Sequence, residues 1–453
     1  MAPMAEEFAD VAEVPVEEAR ARVHEHGWQS WSPTATYALG QRPHRPHGER
    51  TRQISYRPDR SAPAEAFQGE GLLAVDPGDG GPVRVFAAPD PVTEVPSIRA
   101  VAHGDRVVVQ ADGRVEQLAD AGPGGIDGAL GRWADAYAAR AGVPPPRPAP
   151  TIWCSWSHYY AKVTEADVLE NLDAIDELDL PVDVVQLDDG YEAEIGDWRT
   201  LSGRFASLAG LVGRIRERGR RAGIWIAPFL VGARSALRAE HPDWLVGGAD
   251  AGFNWDQELS ALDVTHPDAA AWLAGSLAAF RDAGIDFFKA DFLYAGALDG
   301  RRHQDVPGLE AYRHGLELIR MAIGPDAYLL GCGAPVLPSV GRFDAMRVSP
   351  DVAPAYEPGG GDLSRPSQRA AVLTGAARAF QHGRFWVNDP DCLIARPAVE
   401  RREQWAEHVE RYGGLRGSSD RLRDLDDWGL ETTRRLLASP PPPDVPFTVA
   451  ADR

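Results

Sequence analysis

The chain carries two successive hydrophobic patterns, and the first runs as far as about residue 125. Short segments rich in β-branched residues alternate there with turns rich in glycine, proline and aspartate, as at 83–89 (VRVFAAP) and 106–112 (RVVVQAD). Short strands separated by such turns are typical of a β-sandwich. We therefore predict an N-terminal β-sandwich domain over residues 1–125.

A short connecting region follows this first pattern. Apolar residues return at helical spacing at Leu130, Trp133 and Tyr137, which predicts a helix over 126–142. A proline-rich segment, PPPRPAP, comes next at 144–150, and proline-rich chain is stiff and extended. Residues 126–150 are thus predicted to link two domains.

The second pattern begins at residue 151, where short apolar strands alternate with amphipathic helices. We predict eight strands, at 151–157, 182–189, 223–229, 285–292, 327–335, 345–351, 384–389 and 413–419. We predict helices at 165–178, 208–222, 267–283, 309–323, 366–382, 398–412 and 430–438. This succession predicts an α/β fold, a (β/α)8 TIM barrel over residues 151–440, with a tail at 441–453. A doubly wound sheet is the alternative, but no GxGxxG or GxxxxGK[ST] motif follows the first strand.

Composition and charge narrow the choice of partner. Hydrophobic residues make up 44% of the chain and charged residues 25%, which are ordinary values for a globular protein. The net charge of −20 argues against nucleic acid or an anionic membrane as a partner, and favours a neutral small molecule. The three cysteines form no CxxC pair, and the N-terminus has no apolar signal segment. We therefore expect a cytoplasmic protein without disulfides.

A cation and a carboxylate stand two residues apart at the end of the fourth predicted barrel strand. Lys289 and Asp291 point to the same face there, because side chains in a strand alternate. The chain contains only two lysines, Lys162 and Lys289, so the position of this one is conspicuous. A simple salt bridge is the plainest interpretation of the pair.

Other strand ends also carry polar residues, and these favour a reactive site over a salt bridge alone. Barrels place their active sites at the C-terminal ends of the strands. The additional candidates are Trp156 after the first strand, Asp188 and Asp189 after the second, Trp225 in the third, Cys332 after the fifth, Arg347 and Asp351 at the sixth, and Asn388, Asp389 and Asp391 at the seventh. A single aspartate could be a helix N-cap, but carboxylates at four strand ends are hard to explain in that way.

Three chemistries fit a site rich in carboxylates. A divalent metal is disfavoured, because the histidines lie mostly away from these strand ends. A Schiff base on Lys289 is disfavoured, because Asp291 beside it would keep the lysine protonated. A pair of carboxylates among cationic and aromatic side chains suits glycosyl transfer to water, in which one attacks the anomeric carbon and the other protonates the leaving oxygen.

The motifs at these positions resemble a known family. The matching segments, in chain order, are HGWQSWSP at 26–33, WCSWSHYY at 153–160, VVQLDDGYEAEIGDW at 184–198, GIWIAPF at 223–229, EHPDWLV at 240–246, FFKADFLYAGA at 287–297, LLGCGAP at 329–335, DAMRVSPDVAP at 344–354 and FWVNDPDCL at 385–393. They resemble the retaining α-galactosidases of glycoside hydrolase family 36, whose clan includes the family 27 enzymes and the plant raffinose synthases.

The resemblance implies the main roles in the site. It implies that Asp291 is the nucleophile, that Asp351 is the general acid/base, and that Asp188 and Asp189 accept hydrogen bonds from the galactose 4- and 6-hydroxyl groups. An ionised carboxylate is a strong hydrogen-bond acceptor, so it can recognise the axial 4-hydroxyl group that distinguishes galactose from glucose.

The resemblance also implies how the rest of the pocket is built. Lys289 and Arg347 would hold sugar hydroxyl groups and keep the nucleophile ionised. The side chains that would wall the ring are those of Trp156 and Trp225, with Cys332 near C2 and Trp31 reaching over from the β domain. The family implies a carbohydrate substrate, no metal and no cofactor.

Two departures from the family pattern are visible. Ser157 stands where the family often has an aromatic residue, and little chain remains after the barrel for the usual C-terminal β domain, which we expect to be absent. The expected activity is hydrolysis of terminal α-galactosides. An α-N-acetylgalactosaminidase, a galactosyl transferase of the raffinose-synthase type and an inactive sugar-binding barrel remain as alternatives.

Overall fold

Two antiparallel sheets form the N-terminal part of the chain in a computed structural model, which describes residues 8–441. The strands are β1 (Ala9–Pro15), β2 (Arg22–Glu25), β3 (Ala35–Ala38), β4 (Phe67–Glu70), β5 (Leu72–Asp76), β6 (Val83–Ala87), β7 (Ser97–His103), β8 (Arg106–Ala111) and β9 (Glu116–Asp120). One sheet has the order β1-β8-β7-β4 and the other β3-β2-β5-β6-β9. Alternate residues of both sheets face a shared core, among them Leu73, Phe86, Ile98 and Val109. The predicted β-sandwich is confirmed.

Two helices belong to this part of the chain. The first, α1 (Glu49–Ser55), lies in a region where the sequence pattern predicted no helix. The second, α2 (Gly125–Ala141), matches the predicted connecting helix and buries Leu130, Trp133 and Tyr137 on one face. It ends where Gly142 adopts a left-handed conformation with φ 65°, which glycine tolerates at a helix C-terminus.

Eleven further strands follow the proline-rich segment in the described chain. They are β10 (Thr151–Cys154), β11 (Val184–Leu187), β12 (Arg221–Ile226), β13 (Leu230–Gly232), β14 (Phe253–Asn254), β15 (Gln257–Ala261), β16 (Ile285–Ala290), β17 (Tyr328–Gly331), β18 (Ala345–Arg347), β19 (Val387–Asp389) and β20 (Arg416–Ser418). Eight of them form one parallel sheet, in the order β19-β18-β17-β16-β12-β11-β10-β20. Leu415 N donates to Asn388 O at 3.0 Å and draws the two edges together. The predicted barrel is confirmed, and its ring is nearly closed.

Helices surround this barrel. They are α3 (Trp156–Tyr159), α4 (Glu165–Glu177), α5 (Leu208–Glu217), α6 (Ala236–Glu240), α7 (Pro267–Asp282), α8 (Gly308–Ile323), α9 (Gln368–Ala377), α10 (Arg402–Tyr412) and α11 (Asp427–Ala438). Short 3-10 turns lie at Tyr160–Lys162, Pro242–Trp244, Leu293–Ala297, Leu337–Ser339, Gly359–Gly361, Ala379–Gln381 and Leu422–Asp424. No helix within residues 8–441 is long and apolar enough to cross a membrane.

Capping residues explain where several helices begin and end. Thr164 and Asp167 form a reciprocal capping box at the start of α4, and Ser207 caps α5. The prediction for α5 extended to residue 222 and was wrong at that end. Gly219, at φ 73°, breaks the helix, and Arg221 already pairs in β12. After β20, the described chain up to residue 441 contains a 3-10 turn and α11 but no strand.

A buried arginine joins the two parts of the molecule. Arg378, which follows α9, donates hydrogen bonds to the main-chain oxygens of Gln29 (2.9 Å), Ser30 (2.5 Å) and Ser32 (3.1 Å) in the β domain, and of Val348 (3.1 Å) in the barrel. Burial lowers the pKa of Arg378 to about 9. The four carbonyl oxygens take the place of water molecules that would bind this guanidinium group in solution.

Candidate active site

A cavity of about 570 Å³ opens at the C-terminal ends of the barrel strands. Four aspartates that follow barrel strands line it: Asp188, Asp189, Asp291 and Asp351. The remaining wall comes from the β domain, from the hairpin of β14 and β15, and from the segment before α9. A pocket of this size with convergent polar groups is large enough for a small carbohydrate.

Asp291 lies on the floor of this cavity at the end of β16. Its Oδ2 accepts a hydrogen bond from Trp225 Nε1 at 2.9 Å, and its Oδ1 accepts one from Phe292 N at 2.7 Å. Lys289 Nζ lies 4.0 Å from Oδ2. Burial and the nearby Asp351 raise the pKa of Asp291 above its ordinary value, although Lys289, Trp225 and the Cys332 thiol oppose the shift.

Lys289 is bound more closely to a different carboxylate. Its Nζ lies 2.9 Å from Asp188 Oδ2, which also accepts a hydrogen bond from Gln186 Nε2 at 2.7 Å. Burial lowers the pKa of Lys289, but Asp188, Asp291 and Cys154 together outweigh that effect, and the pKa is well above its ordinary value. A lysine held so firmly as a cation is a poor Schiff-base nucleophile.

Asp351 has a more open environment than Asp291. Its Oδ1 accepts a hydrogen bond from Arg347 Nη1 at 2.8 Å, and its Oδ2 accepts one from Trp156 Nε1 at 3.0 Å. The Asp351 side chain is 23% exposed, against 8% for that of Asp291. The two carboxyl groups thus share one cavity in different surroundings, as a division of catalytic roles requires.

Arg347 lies behind the cavity wall. Besides Asp351, its guanidinium group binds Asp389 Oδ2 at 3.1 Å and Asp391 Oδ1 at 2.9 Å, and its side chain is 3% exposed. Burial raises the pKa of Asp391 to about 6, although Arg347 opposes the shift. One of these three bonds goes to Asp351, so Arg347 orients that carboxyl group. The roles that the resemblance implies for Arg347, which are contact with a sugar hydroxyl group and ionisation of Asp291, stay predictions.

A strained turn places an unpredicted tryptophan at the cavity. Trp255 and Asp256 connect β14 to β15 with φ 48° and 53°, the left-handed region that bulky residues avoid. This turn directs Trp255 Nε1 to Asp189 Oδ2, at 2.7 Å. Burial raises the pKa of Asp189, and burial together with Asp189 raises that of Glu192 behind it.

Aromatic side chains cover the rest of the wall. Trp31, carried by the loop that Arg378 binds, lies with its ring centroid 4.8 Å from that of Phe292. Gly333 permits this approach, because a Cβ there would meet the Trp31 ring at 2.8 Å. Ser157 is buried outside the cavity lining, and its hydroxyl group has no partner in the described chain. The aromatic wall beside Trp156 continues instead through Tyr160, whose ring centroid lies 5.3 Å from that of Trp156.

The structure brings most of the predicted site residues together. Of the ten residues to which the family resemblance gives a role, eight line the cavity: Asp291, Asp351, Asp188, Asp189, Lys289, Trp156, Trp225 and Trp31. The other two, Arg347 and Cys332, are buried behind it. The sequence analysis missed Trp255, Phe292 and Tyr160, which also line it. The sequence did contain a signal for the hairpin that carries Trp255. In FNWDQEL at 253–259, apolar and polar residues alternate on either side of Asp256, a pattern that is typical of two short strands joined by a turn.

Comparison with known proteins identifies the family. The family model described as Melibiase matches residues 145–305. TtGalA, an α-galactosidase from Thermus thermophilus solved in complex with p-nitrophenyl α-D-galactopyranoside, is 30% identical. The match covers 95% of this chain and 89% of that one, with a TM-score of 0.78. This chain belongs to the α-galactosidases of glycoside hydrolase family 36.

Curated relatives of this family member match over shorter segments. The bifunctional α-galactosidase/sucrose kinase AgaSK of Mediterraneibacter gnavus is 28% identical over 211 residues, which are 43% of this chain and 21% of that protein. An α-xylosidase of Emericella nidulans is 29% identical over 151 residues, 31% of this chain and 19% of that protein. The match thus spans about a fifth of each of these two relatives.

Within residues 8–441, no group of three or more His, Cys, Asp and Glu side chains is arranged to hold a metal ion. The cations facing the carboxylates are those of Lys289 and Arg347 instead. The arrangement can therefore bind hydroxyl groups, attack an electrophilic carbon and transfer a proton.

Proposed function

We propose that the protein hydrolyses terminal α-D-galactosyl residues with net retention of configuration, through a covalent galactosyl-enzyme intermediate. The observation that carries the proposal is the shared cavity of Asp291 and Asp351, one carboxyl group buried on the floor and the other partly exposed. Family membership supports it, as does the galactoside bound by TtGalA. The free cysteines are consistent with a cytoplasmic location, which we also propose.

In the first step, a carboxylate oxygen of Asp291 attacks the anomeric carbon from the β face. The bond to the leaving oxygen breaks, and that oxygen takes the proton of the Asp351 carboxyl group. A β-galactosyl ester of Asp291 and a free alcohol result. Trp225 Nε1 and Phe292 N hold the attacking carboxylate in place by donating to its two oxygens.

In the second step, the Asp351 carboxylate removes a proton from water. The water oxygen attacks the anomeric carbon from the α face, and the ester electrons return to Asp291. Two inversions give α-galactose, which is net retention. Arg347 and Trp156 hold Asp351 for both proton transfers, since each donates to one of its oxygens.

Two neighbouring carboxylates would recognise the sugar. Asp188 is fixed by Lys289 and Gln186, and Asp189 by Trp255, so both present acceptors in set positions. Hydrogen bonds from the axial 4-hydroxyl group and the 6-hydroxyl group would distinguish galactose from glucose. A site that binds a hydroxyl group through buried acceptors strongly rejects an analogue that lacks it.

A panel of p-nitrophenyl glycosides tests the proposal. We expect release of nitrophenol from the α-galactoside and little from the α-glucoside, the α-N-acetylgalactosaminide and the β-galactoside. Proton NMR of the first product should show α-galactose before mutarotation. Preferred cleavage of the N-acetylgalactosaminide, β-galactose as the first product, or binding of galactose without turnover would each contradict the proposal.

The pH dependence should report the ionisation of Asp291. The nucleophile must be ionised, and its raised pKa places the acidic limb of kcat/KM above the usual range of an aspartate. Trp225→Phe removes a hydrogen bond to the charged form, so the pKa of Asp291 should rise further and the limb should move to higher pH.

A neighbouring tryptophan provides the control for this shift. Trp198 is buried with its ring centroid 5.9 Å from that of Trp225, but its indole N–H has no acceptor in the described chain. Trp198→Phe should leave the acidic limb in place. If the acidic limb of kcat/KM lay at the same pH for Trp225→Phe and the wild type, Asp291 would not be the group that controls this ionisation.

A further inference from the structure

The outer part of the cavity differs in charge from its floor. All four lining carboxylates follow barrel strands. The lining outside those strand ends comes from Trp31, from α1, from the segment after α3, from the β14–β15 hairpin and from residues 364–366. Among those outer residues in the described chain, the titratable side chains are those of Arg50, Arg365 and Tyr160, and none is acidic.

Both outer arginines lack a carboxylate partner. Arg50 is exposed, and its guanidinium group lies 4.0 Å from the ring centroid of Phe253. Arg365 is exposed as well. In the part of the chain that the structure describes, neither side chain makes an ion pair or a hydrogen bond to another residue.

Arginines that lie close to these two in sequence, but outside the cavity lining, do have carboxylate partners. Close in sequence, Arg52 binds Glu49, and Arg369 binds Glu357. The chain has 67 acidic residues against 47 basic ones, so carboxylates are plentiful. Arg50 and Arg365 come from separate segments and place two unpaired cations on the outer part of the cavity, which we call its mouth. Positive charge at this mouth would attract an anion.

We propose that this mouth binds an anionic group on the leaving part of the substrate, so that the preferred substrates are α-galactosides whose leaving alcohol carries a carboxylate or a phosphate. The inference rests on the proposed function. With the galactosyl ring on the carboxylate floor, the leaving group next to Asp351 would fill the outer part of the same cavity, which Arg50 and Arg365 line. Guanidinium groups bind both oxyanions by charge-assisted hydrogen bonds.

The expected gain is in binding. The anion lies away from the reacting carbon, so it contributes equally to the ground state and the transition state and lowers KM with little effect on kcat. For two exposed cations, we expect a preference of about tenfold in kcat/KM at low ionic strength. The preference should shrink above roughly 0.5 M salt, where screening acts within a few ångströms.

Matched pairs of substrates provide the test. Melibiitol and melibionate carry the same α-1,6-galactosyl bond and differ in an alcohol or a carboxylate at the far end of the leaving group. The second pair, 1-O-α-galactosylglycerol and its 3-phosphate, repeats the comparison with a phosphate. The measured quantity is the ratio of kcat/KM, anionic over neutral, for each pair.

Substitutions assign the preference to the two arginines. We expect the ratio to fall from about ten to about one in the double variant Arg50→Gln/Arg365→Gln, and part of the way in each single variant. Arg106→Gln, which removes an arginine of β8 outside the cavity lining, is the control and should keep the wild-type ratio. A larger ratio for one pair than for the other identifies the oxyanion that fits better.

The outcomes separate this inference from the proposed function. Cleavage of the neutral and anionic members at equal rates overturns the inference and leaves the function intact. A wild-type preference that survives the double substitution also overturns it. If no member of either pair is cleaved, the proposed function falls and the inference falls with it.

Discussion

Asparagine in place of Asp291 is expected to lower kcat towards p-nitrophenyl α-galactoside by at least about 10⁴-fold, because the amide cannot form the galactosyl ester. The fold should persist. Asparagine has nearly the same shape, and Lys289 keeps its closer partner, Asp188. Thermal unfolding and circular dichroism check the fold, and stopped assays check the rate.

A control on the same strand separates loss of the nucleophile from loss of charge. Asp286→Asn changes an exposed carboxylate of β16 and should retain wild-type activity. Asp291→Gly with added azide should form β-galactosyl azide, since azide takes the place of the carboxylate on the β face. Full activity in Asp291→Asn, or α-galactosyl azide from the glycine variant, would assign the nucleophile elsewhere.

Alanine in place of Asp351 should produce a loss that depends on the leaving group. Sugars leave poorly without a proton, so kcat/KM for melibiose should fall by about 10³-fold. Nitrophenolate leaves without protonation, so the aryl galactoside should still react rapidly to form the Asp291 ester and release a burst of nitrophenol. Hydrolysis of that ester should then be slow. Pre-steady-state kinetics with both substrates measure the difference.

Azide gives the opposite stereochemistry in this variant. It should attack the Asp291 ester from the α face and yield α-galactosyl azide, with faster turnover of the aryl substrate. Equal losses for melibiose and the aryl galactoside, without rescue by azide, would mean that Asp351 does not transfer the proton. The two azide products, one from each variant, therefore distinguish the two carboxylates.

Strand-end positions explain how much of this site could be predicted from sequence. In a parallel barrel, the residue that follows each strand must face one common end, so the sequence pattern was enough to group Asp188, Asp291 and Asp351. The helix and strand periods likewise predicted the barrel and most helix positions. The helix predicted from residue 165 does begin there, and the structure explains the start by the capping box of Thr164 and Asp167.

The sequence pattern did not predict which side chains pair with each other, or where the β14–β15 hairpin folds against the barrel. Trp255 reaches Asp189 only because the β14–β15 hairpin folds over the barrel, and no local pattern specifies that approach. The ion pairs of Arg347 with three aspartates from two strand ends were not predicted either, because they join residues that no local pattern connects. Helix α1 was missed because its seven residues are too few to show a clear period.

The bond between Arg378 and the β domain has a consequence for engineering. The acceptors of Arg378 in the β domain are the main-chain oxygens of Gln29, Ser30 and Ser32. The contact between the two domains therefore depends on the backbone conformation of this loop more than on its side chains. A barrel produced alone would leave Arg378 without those acceptors and would lose Trp31 from its pocket. Chimeras that exchange the first domain must therefore reproduce that backbone path, and the two domains are best treated as one transplantable unit.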